Sequence, residues 1–157
     1  MRFGSLIRPL LIACGAVGLV QFASAQETPR YFFEGDMVRG VLPGMAAPGC
    51  VLTSQFKRGE AVVWRVRVLD SKTGRAVDDK GLKSLTVVLP GGEKFASHFS
   101  PHPRGRTDDY FWAISWKVPD SYPTGTISYK VIATDLDGHS TTWEPFKVTL
   151  SQLTIVP

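Results

Sequence analysis

Apolar and polar residues alternate with a period of two along most of the chain after residue 50. The clearest segment runs from Val62 to Val68, where Arg65 and Arg67 separate the apolar positions. Successive side chains of a β-strand point to opposite faces, so this period is typical of half-buried strands. No window of 11 residues has a convincing helical stripe of apolar residues. The pattern predicts strands and excludes a helical domain.

Seven segments of five to ten residues show this alternation, and Gly, Pro and Asp turns separate them. Pro90-Gly91-Gly92 predicts a hairpin turn between two of them. This spacing suits two antiparallel sheets packed face to face. Besides Val62–Val68, the predicted strands carry the apolar faces Cys50/Leu52/Phe56, Leu85/Val87/Leu89, Phe95/Phe99, Tyr110/Trp112/Ile114/Trp116/Val118, Ile127/Tyr129/Val131/Ala133 and Phe146/Val148/Leu150.

The segment before residue 50 has a different composition. Residues 26–49 contain Pro or Gly at seven positions, a density that forbids a long helix. We expect a Pro/Gly-rich arm or edge segment that packs its Tyr31-Phe32-Phe33 cluster on the domain, with Met37 to Val41 as a short strand. The sandwich itself is predicted to span residues 50–157.

Residues 1–25 have the three-part pattern of a secretory signal peptide. Arg2 and Arg8 precede an apolar stretch, and Ala23-Ser24-Ala25 supplies the small residues before the cut. The stretch is shorter than the roughly 20 residues of a membrane-spanning helix, and no later segment approaches that length. We predict cleavage after Ala25 and a periplasmic or secreted protein without a transmembrane segment. A lipid anchor at Cys14 is disfavoured, because it would leave only about five apolar residues in the leader.

Charge and cysteine content change once this leader is removed. The chain of 157 residues has 18 Lys+Arg and 14 Asp+Glu. The leader carries two of the basic residues and no acidic residue, so the chain without the leader has 16 basic and 14 acidic residues. This near balance predicts no nucleic-acid partner. One cysteine remains, Cys50, whose parity with Leu52 and Phe56 predicts a buried thiol. The alternatives are a soft ligand for a cuprous ion and an intermolecular disulfide.

Three positions in the predicted strands have a characteristic spacing. Cys50 lies 14 positions before Trp64, and Tyr129-Lys130-Val131 lies in the penultimate predicted strand. In these positions residues 50 to 150 resemble the bacterial immunoglobulin-like modules of exported proteins, and Tyr129-Lys130-Val131 stands where antibody domains have Tyr-x-Cys. Val131 replaces the second cysteine of that pattern, so the inter-sheet disulfide is absent. The resemblance implies an immunoglobulin-like antiparallel β-sandwich that serves as an interaction module, and it implies no chemistry, because this fold hosts unrelated functions.

The connectivity of the predicted strands brings several polar loops to one end of the sandwich. Two antiparallel strands separate the loop at 100–109 from the turn at 135–139, so both emerge at the same end. Loops at one end of such sandwiches commonly form binding surfaces. The candidate binding residues there are His98, His102, Arg104, Arg106, Asp135, Asp137 and His139.

Three classes of function are compatible with these residues. The chain has no nucleophile elbow, phosphate-binding loop, dinucleotide fingerprint or Cys-x-x-Cys. We therefore predict a non-catalytic binding or accessory module without a cofactor, which engages another envelope protein through its edges or end loops. The alternatives are a copper or zinc carrier that uses His98, His102 and His139, and a carbohydrate-binding module with Phe111 and Trp143 exposed.

Overall fold

The computed structural model describes residues 29–41, 51–101, 109–148 and 151–157. Within these ranges the chain forms strands, bridges, turns and bends and no helix, which confirms the predicted all-β class. Accordingly, the described residues include no helix of the length and apolarity needed to cross a membrane. The predicted leader, Cys14 and Cys50 lie outside the described residues.

Eleven strands are present in the part of the chain that the structure describes. In chain order they are β1 Tyr31–Gly40, β2 Gln55–Lys57, β3 Ala61–Asp70, β4 Leu82–Val88, β5 Lys94–Ala96, β6 His98–Pro101, β7 Tyr110–Lys117, β8 Gly125–Ile127, β9 Lys130–Asp135, β10 Ser140–Trp143 and β11 Leu153–Val156.

These strands form three sheets. Two are four-stranded, with the orders β1-β3-β7-β6 and β10-β9-β4-β5, and all their pairings are antiparallel. Both contribute inward residues to one hydrophobic core, as the two layers of a β-sandwich do. In the third sheet, of order β2-β11-β8, β11 pairs with β2 in parallel and with β8 in antiparallel orientation.

The core follows the predicted alternation most closely in β3. Val62, Trp64, Val66 and Val68 are buried, whereas Arg65 and Arg67 point to the opposite face. The indole of Trp64 lies at the centre of an aromatic cluster. Its ring centroid is 5.7 Å from that of Tyr129, 6.2 Å from that of Trp116 and 6.4 Å from that of Phe95.

The segment after the predicted hairpin turn differs from expectation. The turn itself is confirmed, since β4 pairs with β5 and Gly92 has the positive φ of 88° that glycine tolerates. The following residues, predicted as one strand, divide into β5 and β6, which belong to different sheets. Ser97 marks the crossing: its N–H and its hydroxyl both donate to the carbonyl of Leu85, at 2.9 and 2.7 Å. The chain therefore passes from one layer to the other at Ser97.

The C-terminal strands also differ from expectation. The predicted strand through Phe146 and Val148 is wrong: both side chains are exposed, and the residues are not in a strand. Proline lacks an N–H to donate to a sheet, and Pro145 directly precedes this segment. Leu150 lies outside the described residues. The last described strand is instead β11, whose Leu153 and Ile155 are buried.

The N-terminal segment contains a longer strand than the predicted Met37–Val41. β1 extends over ten residues, from Tyr31 to Gly40, and pairs with β3 along its whole length. It forms one edge of its sheet. Tyr31 and Met37 point into the core, which provides the cover expected for part of the aromatic cluster. Residues 26–28 and 42–49 of the predicted arm lie outside the described ranges.

Candidate functional site

The structure places Asp135, Asp137 and His139 together in the tight turn between β9 and β10. One potential ligand atom from each lies within 4.8 Å of the others. The turn is closed by backbone hydrogen bonds from Asp135 to His139, at 2.9 Å, and from Gly138 to Asp135, at 3.2 Å. Gly138 has a φ of +92°, which a side chain would disfavour. We call residues Asp135–His139 the histidine turn.

Asp135 is the anchor of the histidine turn. Its carboxylate, 1% exposed, accepts hydrogen bonds from the backbone N–H of His139, at 2.8 Å, and from the guanidinium of Arg30. Burial opposes its ionisation, but the His139 N–H and the Arg30 charge outweigh burial and hold the pKa of this carboxyl below its usual value. The carboxylate thus joins the residue before β1 to the end of β9.

This pairing makes the histidine turn a poor cation site. The Arg30 guanidinium already neutralises the buried carboxylate that a metal ion would need. Within the described ranges, His98 does not belong to this cluster; it is exposed at the start of the edge strand β6. His102, Arg104 and Arg106 lie outside the described residues, so their placement at this end stays a prediction.

A charged depression covers the outer face of the sheet that contains β1, β3 and β7. It has a volume of about 350 Å³. The Arg65 guanidinium holds both carboxylate oxygens of Asp36, at 2.7 and 2.5 Å, and Arg67 is paired with Asp109. The predicted exposure of Phe111 is wrong: the side chain is 8% exposed, and the Arg65 guanidinium lies 5.7 Å from its ring centroid. These charges compensate one another on the surface.

A second and larger depression, which we call the edge groove, opens between the edge strands β1 and β10. Its volume is about 550 Å³. One wall follows β1 and the segment after residue 51, and the other follows β10 and the segment after it. Its principal side chains are Phe33, Met37, Leu52, Tyr129, Trp143 and Phe146.

Aromatic rings join the edge groove to the core. The rings of Phe33 and Trp143 are stacked, with centroids 6.2 Å apart and an interplanar angle of 14°. Trp143 meets Tyr129 edge to face at 6.3 Å, and Tyr129 in turn contacts Trp64. Burial raises the pKa of Tyr129 to about 12, so its hydroxyl stays neutral at physiological pH. The floor of the groove is therefore uncharged and fixed by core packing.

The outer rim of the edge groove exposes apolar side chains. Phe146 is 79% exposed and Leu52 is 65% exposed. Exposed hydrophobic residues are common singly, but several around one concave surface are typical of an interaction site. Sequence reasoning missed this site because its walls come from segments far apart in the chain. Pro145 was the available signal, since a proline before Phe146 weakens the prediction that Phe146 points inward from a strand.

Asp36 is the one carboxylate among the described residues that line the edge groove. It is already held by Arg65. The groove can accordingly offer apolar surface and neutral hydrogen-bonding groups to a ligand.

Neither the family models nor the curated proteins searched contain a match to this chain, so its function is inferred from the geometry of the site.

Proposed function

We propose that the mature chain is an exported, immunoglobulin-like, non-catalytic binding module that engages another envelope protein through the edge groove. The leader pattern supports export to the periplasm or beyond. The Cys50–Trp64 spacing and the antiparallel layers support the immunoglobulin-like assignment. The main observation that supports the proposed function is the edge groove, where the exposed side chains of Phe146 and Leu52 flank aromatic rings that pack on the core.

The edge groove is a better binding surface than the histidine turn for an energetic reason. Binding energy at protein interfaces comes mainly from a few aromatic or aliphatic anchors in well-packed pockets. The groove has a rigid aromatic floor, because Trp143 is stacked on Phe33. In the histidine turn, Asp135 is already satisfied by Arg30 and His139, and a partner would have to replace those bonds.

The chemistry of the groove favours binding over catalysis. General acid–base catalysis needs a titratable group with access to the substrate. Asp36 is engaged by the Arg65 guanidinium, and burial raises the pKa of Tyr129 to about 12. A volume of about 550 Å³ lies within the usual range for ligand pockets, roughly 300–1,000 Å³. It suits a short segment of a partner protein.

A photo-crosslinking experiment tests this function. A benzoylphenylalanine at position 146, in cells that export the protein, identifies the partner, and the affinity of the purified partner is then measured. The double variant Leu52→Ser, Phe146→Ser should weaken binding by about 30-fold, the effect expected when an interface anchor is lost. Leu136→Ser is the matched control, because Leu136 is equally exposed but lies in the histidine turn. Equal affinities of the partner for the unmodified protein, the double variant and Leu136→Ser would refute the edge groove as the binding site.

The proposed export is tested by the intact mass of the protein recovered from the producing cell. We expect a chain that begins at Gln26. A lipidated chain that begins at Cys14 would contradict the processing that we propose.

A further inference from the structure

We propose, building on the function above, that the partner contributes an extended segment that adds as a strand to the open half of β1, from Tyr31 to Gly35. The segment would carry apolar side chains at alternate positions, which enter the edge groove. Strand addition of this kind obtains affinity from main-chain hydrogen bonds and specificity from pockets for every second side chain.

The other half of the same edge already accepts a strand from this chain. Val38 forms an antiparallel bridge with Leu52, the N–H of Arg39 donates to the Val51 carbonyl at 3.1 Å, and the N–H of Thr53 donates to the Met37 carbonyl at 3.2 Å. After Thr53 the chain leaves this edge and enters β2, which pairs with β11 in the third sheet. Among the described residues, strand pairing on the outside of β1 therefore stops midway along it.

The remaining half presents its backbone in the same direction. Main-chain groups alternate sides along a strand, so the N–H and C=O of Phe33 and Gly35 point outward as those of Met37 and Arg39 do. No hydrogen bond from the described residues reaches these outward groups of Phe33 and Gly35. They form the row of unpaired donors and acceptors that an added strand requires.

Edge protection distinguishes β1 from the other edges of the two four-stranded sheets. Very short strands and proline are two of the devices by which native proteins protect sheet edges. The edge strands β5, β6 and β10 have three, four and four residues, β6 contains Pro101, and Pro145 follows β10 closely. β1 has ten residues, and its open half contains Gly35, which has no side chain to obstruct a neighbour.

The edge groove lies beside this open half and supplies the specificity. Phe33 and Gly35 are part of its wall, and Trp143 and Phe146 stand opposite. A strand next to Tyr31–Gly35 would place alternate side chains against those two rings, and its other side chains beside Phe32 and Glu34 on the outer face. The occupant that fits both the backbone and the groove is an extended, alternately apolar segment.

The test uses a displayed library of random heptapeptides selected on the mature protein, residues 26–157. Gly35→Pro removes one outward N–H without touching the ladder to β3, because proline is tolerated at edge positions whose N–H faces away from the sheet. We expect this variant to bind the selected peptide about tenfold more weakly or worse. Gly35→Ala is the control and should stay within about twofold: it keeps the N–H, and its Cβ would lie 3.5 Å from Trp143, an ordinary contact.

Two further measurements do not depend on whether the proline variant folds. Every second amide of an added strand would point toward β1. N-methylation of that set of peptide amides should abolish binding, and N-methylation of the intervening amides should leave binding intact. Hydrogen exchange of the Phe33 and Gly35 amides in the unmodified protein should slow when the peptide binds.

The outcomes separate this inference from the proposed function. Binding that requires Phe146 but ignores Gly35→Pro and peptide N-methylation would overturn strand addition and leave the groove as the binding site. Failure of every heptapeptide to bind above unselected peptides would also overturn strand addition. Dimerisation of the protein that Gly35→Pro abolishes would overturn the partner identity, because a second copy of this chain would then be the occupant.

Discussion

Replacing Trp143 by alanine removes the ring that joins the edge groove to the hydrophobic core. Trp143 lies on β10, faces Val131 on β9 and stacks on Phe33 from the opposite sheet. It also meets Tyr129 edge to face. The substitution therefore removes a side-chain contact between β1 and β10, which have no backbone pairing with each other. The stability of the groove should depend on this one side chain.

The size of the effect follows from these contacts. Each aromatic pair contributes about 0.5–1.5 kcal/mol beyond its buried area, and Trp143 makes two of them. Truncating a fully buried Phe or Trp to Ala costs about 3–5 kcal/mol. Because Trp143 is only partly buried, we expect Trp143→Ala to lower the free energy of unfolding by about 2–4 kcal/mol. Trp143→Phe keeps a ring in place and should cost about 1 kcal/mol.

Urea denaturation followed by tryptophan fluorescence measures the difference. For a slope of about 2 kcal/mol per molar, Trp143→Ala should lower the midpoint by about 1–2 M. Phe146→Ser should change the free energy of unfolding by no more than about 0.5 kcal/mol, because the side chain is mostly exposed. A change in the free energy of unfolding of no more than about 0.5 kcal/mol for Trp143→Ala, or a larger change for Phe146→Ser than for Trp143→Ala, would contradict the role assigned to Trp143.

Two further predictions concern the histidine turn. The pKa of Asp135 is lower in the folded state than in the unfolded state. The ionised carboxylate therefore stabilises the fold above the unfolded pKa of about 3.9, and this contribution is lost as the pH falls through the folded pKa. Thermal melts from pH 6 to pH 2 should show a smaller loss of stability for Asp135→Asn than for the unmodified protein, and identical pH profiles would contradict the Arg30–Asp135 pairing. Addition of a chelator should leave the melting temperature unchanged. Titration with zinc or copper should give the same metal affinity for the unmodified protein and for the double variant His102→Ala, His139→Ala. A metal site that is lost in the double variant would instead establish the metal-carrier alternative.

The sequence pattern predicted those strands whose two faces differ most in polarity. In β3, the alternation of Val and Trp with Arg is strong enough to set which side chains enter the core. The crossing at Ser97 had no such local signal, because it depends on the carbonyl of Leu85, 12 residues away. The division of the predicted strand at 127–133 into β8 and β9 likewise depends on distant partners, β11 for the first and β4 for the second.

The candidate site was harder to predict than the fold for a related reason. The sequence predicted that polar loop residues share one end of the sandwich, because strand connectivity constrains where loops emerge. The edge groove instead arises where β1 and β10, both edge strands, face each other across the two sheets. Which strand becomes an edge is a property of the topology, and the period of two cannot indicate it.

The parallel pairing of β11 with β2 has a consequence for the order in which the molecule can assemble. Ile155 lies opposite Phe56, and both side chains are fully buried, as is Leu153. The third sheet cannot form until residues 153–156 are available, because β11 is its central strand. If the protein crosses a membrane with its N-terminus leading, as the export proposed above requires, this sheet would stay unformed until β11 emerged. Deletion of residues 153–157 should prevent assembly of the third sheet even though the residues of β1, β3 and β7 are unchanged.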